Sequence, residues 1–205
     1  MENSIERSVD IQNALSKSYS YKQYRELIAA LLQENKTTGA DQSEAMIAYA
    51  KINEQRMKRL DKTVELLPEL KNYLNELKRK LTFVVLTEGW CGDAAQNIPV
   101  FSLIEEASDK FELKIILRDE NLSIMDQYLT KGGRAIPKLI CLDTETKKEL
   151  FNWGPRPVPC QQLVEQMVSE GVSKEERGEK IHLWYAKDKT QHLQRELLHL
   201  LKIVQ

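Results

Sequence analysis

Residues 81–101, LTFVVLTEGWCGDAAQNIPVF, decide the fold of this chain. Residues 81–86 form a short apolar run rich in β-branched and aromatic side chains, which is typical of a strand buried on both faces. Residues 95–104 place apolar side chains on one face, as an amphipathic helix does. Between them, Cys91 would face the unpaired N–H groups and the positive dipole end of the helix, and both favour a thiolate. The sequence therefore predicts a nucleophilic Cys91 in an exposed turn, and the alternative is a small cysteine that fills a gap in the core.

The composition excludes several classes of protein. The chain has 205 residues, enough for one elaborated domain or two small ones. Its 30 basic residues nearly cancel its 31 acidic residues, so no positive field indicates nucleic acid as a partner. No stretch approaches the roughly twenty apolar residues of a membrane span, and the N-terminus has no apolar core of signal-peptide length. We therefore expect a cytoplasmic protein that has neither membrane nor nucleic acid as a partner.

The three cysteines, Cys91, Cys141 and Cys160, show no metal-ligand spacing. Their odd number, together with a cytoplasmic location, predicts thiols that are mostly reduced. No phosphate-binding glycine loop, nucleotide fingerprint or Ser-His-Asp arrangement is present. We expect no metal and no cofactor.

Residues 1–80 are predicted to be almost wholly helical. Ser20 and Gln23 form a capping box before an apolar stripe at helical spacing, and Ser43 is predicted to cap a second helix.

A third helix is predicted to open at Asp61 or Thr63. Pro68 lies early in its apolar pattern, so it marks either a late start or a kink.

Residues 81–170 alternate strand and helix in the order β-α-β-α-β-β-α. This order joins a right-handed parallel unit to an antiparallel hairpin. The predicted strands after the first are residues 111–117, 138–142 and 149–153.

Residues 171–205 are charged and helical, with a capping box at Ser173 and Glu176. His182, His192 and His199 are expected on the helix surface, because the spacing of the last two is too long for one tetrahedral metal. Such helices are unstable alone, so both ends should pack on the central unit or on each other. We therefore divide the chain into a helical N-terminal extension (1–80), a core (81–170) and a C-terminal helical segment (171–205).

The core resembles the thioredoxin fold, an α/β fold with a central mixed sheet. The resemblance rests on Trp90-Cys91-Gly92 after the first strand and on Ile136-Pro137 before the hairpin. The helical flanks, together with residues 88–93 and 153–157, are similar to a bacterial branch of thioredoxin-like proteins with an N-terminal helical extension.

The resemblance implies a role for each matching residue. Cys91 would be the attacking sulfur, with a pKa lowered by the helix dipole. Trp90 would shield one side of the turn, and Gly92 would let a partner backbone approach. Pro137 would be a cis proline that faces the cysteine, and the backbone of Ile136 would pair with a bound thiol or peptide.

Three departures from the family pattern limit the chemistry. Ala94 stands where the second cysteine would be, Asp93 stands where proline is common, and Val85 replaces a buried acid. Without a second thiol, Cys91 cannot close a local disulfide. The carboxylate of Asp93 opposes thiolate formation nearby, although it suits the first helical turn. Dithiol reductase activity is therefore largely excluded.

One hypothesis is monothiol redox chemistry, a thiol-disulfide oxidoreductase in which Cys91 attacks a disulfide or an oxidised thiol. The partner would be a thiol or disulfide of a protein, or a low-molecular-weight thiol. Cys160 is the best internal candidate for a resolving thiol, and an external thiol is the alternative.

The other hypothesis is a non-redox module that binds a peptide or a protein partner. Trp90, Trp153 and the edge at Pro137 would offer the docking surface, and the helical extensions would offer a second surface or a homodimer contact. Around the thiol, Arg156 with Arg118, Asp119 and Arg134 could form an anion-binding rim. The alternative for these four residues is scattered surface charges and loop ion pairs.

Overall fold

A four-stranded mixed sheet lies at the centre of the computed structural model, which describes residues 10–204. The strands lie in the order β2-β1-β3-β4. Strand β1 is parallel to β2 and antiparallel to β3, and β3 pairs with β4 as a hairpin. The predicted parallel unit joined to an antiparallel hairpin is confirmed. The strands are Leu81–Thr87 (β1), Phe111–Leu117 (β2), Lys138–Asp143 (β3) and Glu149–Trp153 (β4).

Strand β1 is buried along its whole length, as its continuous apolar run predicts. Phe83 on β1 makes edge-to-face contacts with Phe101, Phe111 and Phe151, with ring centroids 6.2, 4.9 and 6.4 Å away. These contacts fix β1 against the helix that follows it and against both of the outer strands. The turn at the end of β1, which carries Cys91, is therefore held on a rigid support.

Among the described residues, a helical stretch at 10–15 and three longer helices precede the sheet: Tyr21–Gln33 (α1), Glu44–Thr63 (α2) and Pro68–Glu76 (α3). The capping box of Ser20 is present with both of its hydrogen bonds, and the Ser43 side chain caps α2. The predicted start of the third helix at Asp61 or Thr63 is wrong, because α2 continues through both residues. The late start at Pro68 is correct, since proline suits the first turn of a helix.

The helices around the later strands are Gly92–Ala107 (α4), Leu122–Met125 (α5) and Val158–Ser169 (α6). A short 3₁₀ turn, Arg118–Glu120, precedes α5. The helix predicted between the second and third strands is thus a single turn. Two X–Pro bonds, Ile136–Pro137 and Gly154–Pro155, are cis.

The C-terminal segment forms two helices, Lys174–Asp188 (α7) and Gln191–Ile203 (α8). Lys189 and Thr190 separate them with left-handed backbone. The three histidines are therefore not on one helix, and this corrects the expectation. His192 pairs with Asp188 across the break.

The helical additions, residues 10–80 and 171–204, share one apolar core with the sheet. Ile28 of α1, Leu74 of α3 and Leu197 of α8 belong to it. The side chain of Gln194 links α8 to the segment before α3, since it accepts from the N–H of Leu67 at 2.7 Å and donates to the carbonyl of Glu65. Both helical additions thus pack on the central unit and on each other.

The outer edge of β2 is partly covered by the segment before α1. Tyr19 and Ile115 exchange two backbone hydrogen bonds of 2.8 Å. This short antiparallel bridge pairs backbone groups that the edge strand would otherwise leave open.

Candidate functional site

Cys91 is the N-cap residue of α4 and is only 7% exposed. Its thiol donates a hydrogen bond to the carbonyl oxygen of Ile136, with 3.2 Å between the sulfur and the oxygen. Ile136 precedes the cis peptide bond to Pro137, so the structure brings together three residues that the sequence associates with the site. The sulfur is held inside the turn, and the prediction of an exposed turn is wrong.

Burial raises the pKa of the Cys91 thiol to about 12, and the carboxylate of Asp93 acts in the same direction. The backbone N–H groups of Asp93 and Ala94 lower the pKa, as expected at a helix N-terminus, but their effect is smaller. The thiol is therefore protonated at neutral pH. The expectation that the helix dipole lowers this pKa is corrected, because desolvation outweighs the dipole.

Asp93 is the centre of a buried cluster that ties the Cys91 turn to two other parts of the chain. Arg156 donates to its carboxylate from Nε at 3.0 Å and from Nη2 at 2.7 Å. Tyr185 of α7 donates from its hydroxyl at 3.0 Å and accepts from the amide of Asn97 at 3.1 Å. Asp93 is thus fully occupied in holding the loop before α6 and the helix α7 against α4.

Gly92 lies directly beneath two side chains of the helical additions. A Cβ atom at Gly92 would lie 3.2 Å from Cε1 of His182 and 3.5 Å from Nη1 of Arg56. The close approach expected at Gly92 is therefore made by helices of the same chain. His182 is half-buried at the turn, and burial with the nearby Arg56 lowers its pKa to about 4, so it is neutral. Its expected place on the outer helix surface is wrong.

A cavity of about 550 Å³ lies over the Cys91 turn. The core contributes residues 90–93, Arg118, residues 134–136 and Arg156, and α6 contributes Val164 and Val168. The rest of the wall comes from the additions: Met46, Tyr49 and Arg56 of α2, with Lys174, Arg177, Gly178, Ile181 and His182 of α7. The cavity therefore lies between the core and both helical additions.

Three predicted rim arginines, Arg118, Arg134 and Arg156, line this cavity. Arg118 stacks over the ring of Trp90, with its guanidinium carbon 4.8 Å from the ring centroid. Asp119, the fourth predicted rim residue, pairs with Arg118 at 2.7 Å and does not line the cavity. The three arginines thus lie at the rim of the cavity, and each of them forms a loop ion pair.

A family model described as thioredoxin matches residues 39–168, which is more than half of the chain. The chain belongs to the thioredoxin family. The match begins before α2, so two helices of the N-terminal addition lie within the part of the chain that the family model covers.

Two solved structures show the same overall fold as this thioredoxin-family chain. One is a protein of unknown function from Pseudomonas aeruginosa, solved at 1.5 Å, which is 19% identical with a TM-score of 0.57. The other is an HIV epitope scaffold, 20% identical with a TM-score of 0.55. Each alignment covers 90% of this chain and 98% of the other chain. A search of curated proteins found no match.

Trp153 and Cys160 do not line the cavity over the thioredoxin-family turn. The indole N–H of Trp153 donates to Glu196 of α8 at 2.7 Å, and the side chain lines a separate cavity of about 480 Å³. Its predicted place in the Cys91 site is corrected, because α8 covers it. Cys160 is fully buried in α6, and burial raises its pKa to about 12.

Glu88 is a buried carboxyl group that the sequence did not distinguish from the rest of the turn. It is fully buried, accepts from the N–H of Asp119 at 2.9 Å, and has a pKa raised by burial. Its place directly after a buried strand was the available signal. It does not line the Cys91 cavity.

Within residues 10–204, no group of three or more His, Cys, Asp or Glu side chains is placed to hold a metal ion. In the same part of the chain, no helix has the length and apolar character that crossing a bilayer requires.

Proposed function

We propose that this thioredoxin-family chain is a binding protein whose Cys91 cavity holds a small molecule against a protonated thiol. The observation that carries the proposal is the open cavity of about 550 Å³ between the Cys91 turn and the helical additions. Small-molecule sites typically have volumes of ~300–1,000 Å³ and are largely pre-formed.

The position of the additions favours a small ligand over a folded partner. Arg56 and His182 stand against Gly92 on the face that an incoming protein would have to reach. A protein docking on Cys91 would have to displace α2 or α7, and Tyr185 anchors α7 to Asp93. The binding module predicted from the sequence is therefore narrowed from peptides and proteins to small molecules.

The state of the sulfur favours binding over redox turnover. The thiolate is the reactive form of cysteine, and burial with Asp93 disfavours that form. Ala94 supplies no second thiol. The first feature weakens the nucleophile, and the second removes the thiol that would resolve a mixed disulfide. Neither weakens a site that contacts a ligand through a neutral S–H group.

Equilibrium dialysis against the small-molecule fraction of a cell extract, followed by mass spectrometry, tests the proposal. We expect retained compounds with the natural chain and loss of retention in Ala135→Trp, which fills the cavity. Ala186→Trp is the matched control, because Ala186 is exposed on α7 outside the cavity. Equal retention by all three proteins, or none by the natural chain, would overturn the proposal.

Monothiol redox activity is a second candidate, favoured by the fact that Cys91 itself lines the cavity. Cys91 would lose its proton to solvent, attack one sulfur of a small disulfide and form a mixed disulfide while the other half leaves as a thiolate. A second, external thiol would then attack the mixed disulfide and restore Cys91. We infer an external thiol, since Cys160 does not line the cavity.

Turnover of bis(2-hydroxyethyl) disulfide with excess small thiol separates the two candidates. Redox function predicts that activity is lost in Cys91→Ser and kept in Cys160→Ser and Cys141→Ser. The binding proposal predicts that the natural chain and Cys91→Ser both match the uncatalysed rate.

The homodimer through the helical additions remains a prediction. Sedimentation velocity over a range of protein concentrations checks it.

A further inference from the structure

We propose that the ligand of the Cys91 cavity is a compact anion carrying at least two negative charges, such as a dicarboxylate or a phosphate ester. This inference rests on the function proposed above. Six cationic side chains line the cavity, whereas Asp93 is the only carboxylate that does so among the described residues.

Half of these cations are already neutralised by ion pairs. The pairs are Arg118 with Asp119 at 2.7 Å, Arg134 with Asp126 at 2.6 Å, and Arg156 with Asp93 at 2.7 Å. Each of these arginines belongs to the core, and each pair fixes a loop at the cavity rim. These three ion pairs leave no excess positive charge on the core side of the cavity.

The other three cations, Arg56, Lys174 and Arg177, come from the helical additions. Among residues 10–204, none of the three forms an ion pair with a carboxylate. Arg56 donates to the side-chain oxygen of Asn53 at 2.9 Å, and Arg177 donates to the carbonyl oxygen of Val172. The cavity therefore contains an excess of three positive charges.

Partial burial of Arg56 and Arg177 makes their charges unfavourable without an anion. Arg56 is half-buried, and its pKa is lowered by burial and by the neighbouring Arg59. A bound oxyanion would compensate this desolvation through charge-assisted hydrogen bonds, which the planar guanidinium fork can make in pairs. Because Arg56 and Arg177 lie on helices from opposite ends of the chain, an anion between them would contact both additions.

The uncharged part of the wall favours a ligand that has a carbon skeleton as well as charged groups. Met46, Tyr49 and Ile181 provide apolar surface beside the cations. A short carbon skeleton that joins two anionic groups suits this arrangement.

Isothermal titration calorimetry at constant ionic strength tests the charge requirement, with succinate and glycerol 2-phosphate as dianions. Succinamide is the neutral probe and acetate the monoanion. We expect one dianion per chain and no measurable binding of succinamide or acetate. Succinate binding would indicate a dicarboxylate, and glycerol 2-phosphate binding would indicate a phosphate ester.

Variants locate the site. Arg56→Gln and Arg177→Gln should each weaken dianion binding ~10-fold, since each removes a charge-assisted hydrogen bond. Lys174→Gln, at an exposed position, is a further variant that should not disturb folding. Arg195→Gln makes the same change in net charge on α8 outside the cavity and should leave affinity unchanged. Equal weakening by Arg195→Gln, or no dianion binding by the natural chain, would overturn the anion proposal.

Failure of this inference differs from failure of the proposed function. Compounds from the extract that are retained by the natural chain but lost in Ala135→Trp, and that are neutral or cationic on ion exchange, would refute the anion and leave the binding function intact. Dianion binding by Cys91→Ala is expected to persist, because the charges and not the sulfur hold the ligand.

Discussion

The core side and the helical side of the Cys91 cavity differ in how their positive charges are paired. On the core side, Arg118, Arg134 and Arg156 each have a carboxylate partner. On the helical side, Arg56 and Arg177 hydrogen-bond only to uncharged oxygens. Paired charges hold loops in place, whereas unpaired charges in a cavity are available to a ligand. The core thus positions the sulfur, and the additions determine what reaches it.

The largest expected effect is a loss of stability caused by a substitution on the core side. Gly154 has a φ of +114°, and a Cβ atom there would collide with the carbonyl oxygen of Pro137. Gly154→Ala should lower the free energy of unfolding by ~3 kcal/mol or more, through backbone strain and overpacking. Urea unfolding followed by circular dichroism measures the loss. A loss below that of an ordinary surface substitution would contradict the close approach of the two proline loops.

The next largest effect comes from removing the hydrogen bonds that connect the two sides. Tyr185→Phe removes the hydroxyl that joins α7 to Asp93 and Asn97. Since both partners stay buried, unfolding should become easier by ~1–3 kcal/mol. Tyr49→Phe is the control, because Tyr49 is 46% exposed. Similar unfolding midpoints for the two variants would show that the connection contributes nothing.

The third effect concerns the pKa of the Cys91 thiol and its influence on stability. In the unfolded chain a thiol titrates near ~8.5, whereas in the folded chain the pKa of Cys91 is raised to about 12. Between these values the unfolded chain has released the proton that the folded chain keeps, so rising pH favours unfolding. The contribution of this raised pKa to the free energy of unfolding is complete below pH ~8.5. It is lost progressively as the pH rises towards the pKa of Cys91 in the folded chain.

Comparison of the natural chain with Cys91→Ala isolates this contribution. Above pH ~8.5 the natural chain should lose about 1.4 kcal/mol more per pH unit than the variant. Denaturant unfolding at several alkaline pH values measures the two slopes. Parallel slopes would mean that Cys91 titrates normally, and the redox candidate would then gain support.

The smallest effect tests the helical side alone. Gly178 lies within α7, and nothing is within 4 Å of a Cβ atom built there. Gly178→Ala should raise the free energy of unfolding by ~0.5–1 kcal/mol, because alanine favours a helix. A destabilised variant, measured by the same urea unfolding, would show that α7 packs more tightly against the cavity than the structure indicates.

The sequence predicted the strands, the capping residues Ser20 and Ser43 and the order of the core elements along the chain, because these depend on local patterns. It misplaced the third helix, since Asp61 and Thr63 resemble caps although α2 continues through both residues.

The site was predictable only on its core side. Residues 90–93 and 136–137 lie within recognisable local patterns. Arg56 and His182 lie far apart on polar faces of separate helices, and no spacing in the sequence brings them together. The pKa of Cys91 was expected below the usual value of a thiol, whereas burial raises it above that value. The helix end is visible in the sequence, but the burial depends on tertiary packing.

The bridge between Tyr19 and Ile115 has a consequence for solubility. Without it, the outer edge of β2 would present more open backbone groups, which can pair with the edge of another molecule. A chain in which this bridge cannot form should therefore aggregate more readily than the natural chain, even where its remaining fold is intact.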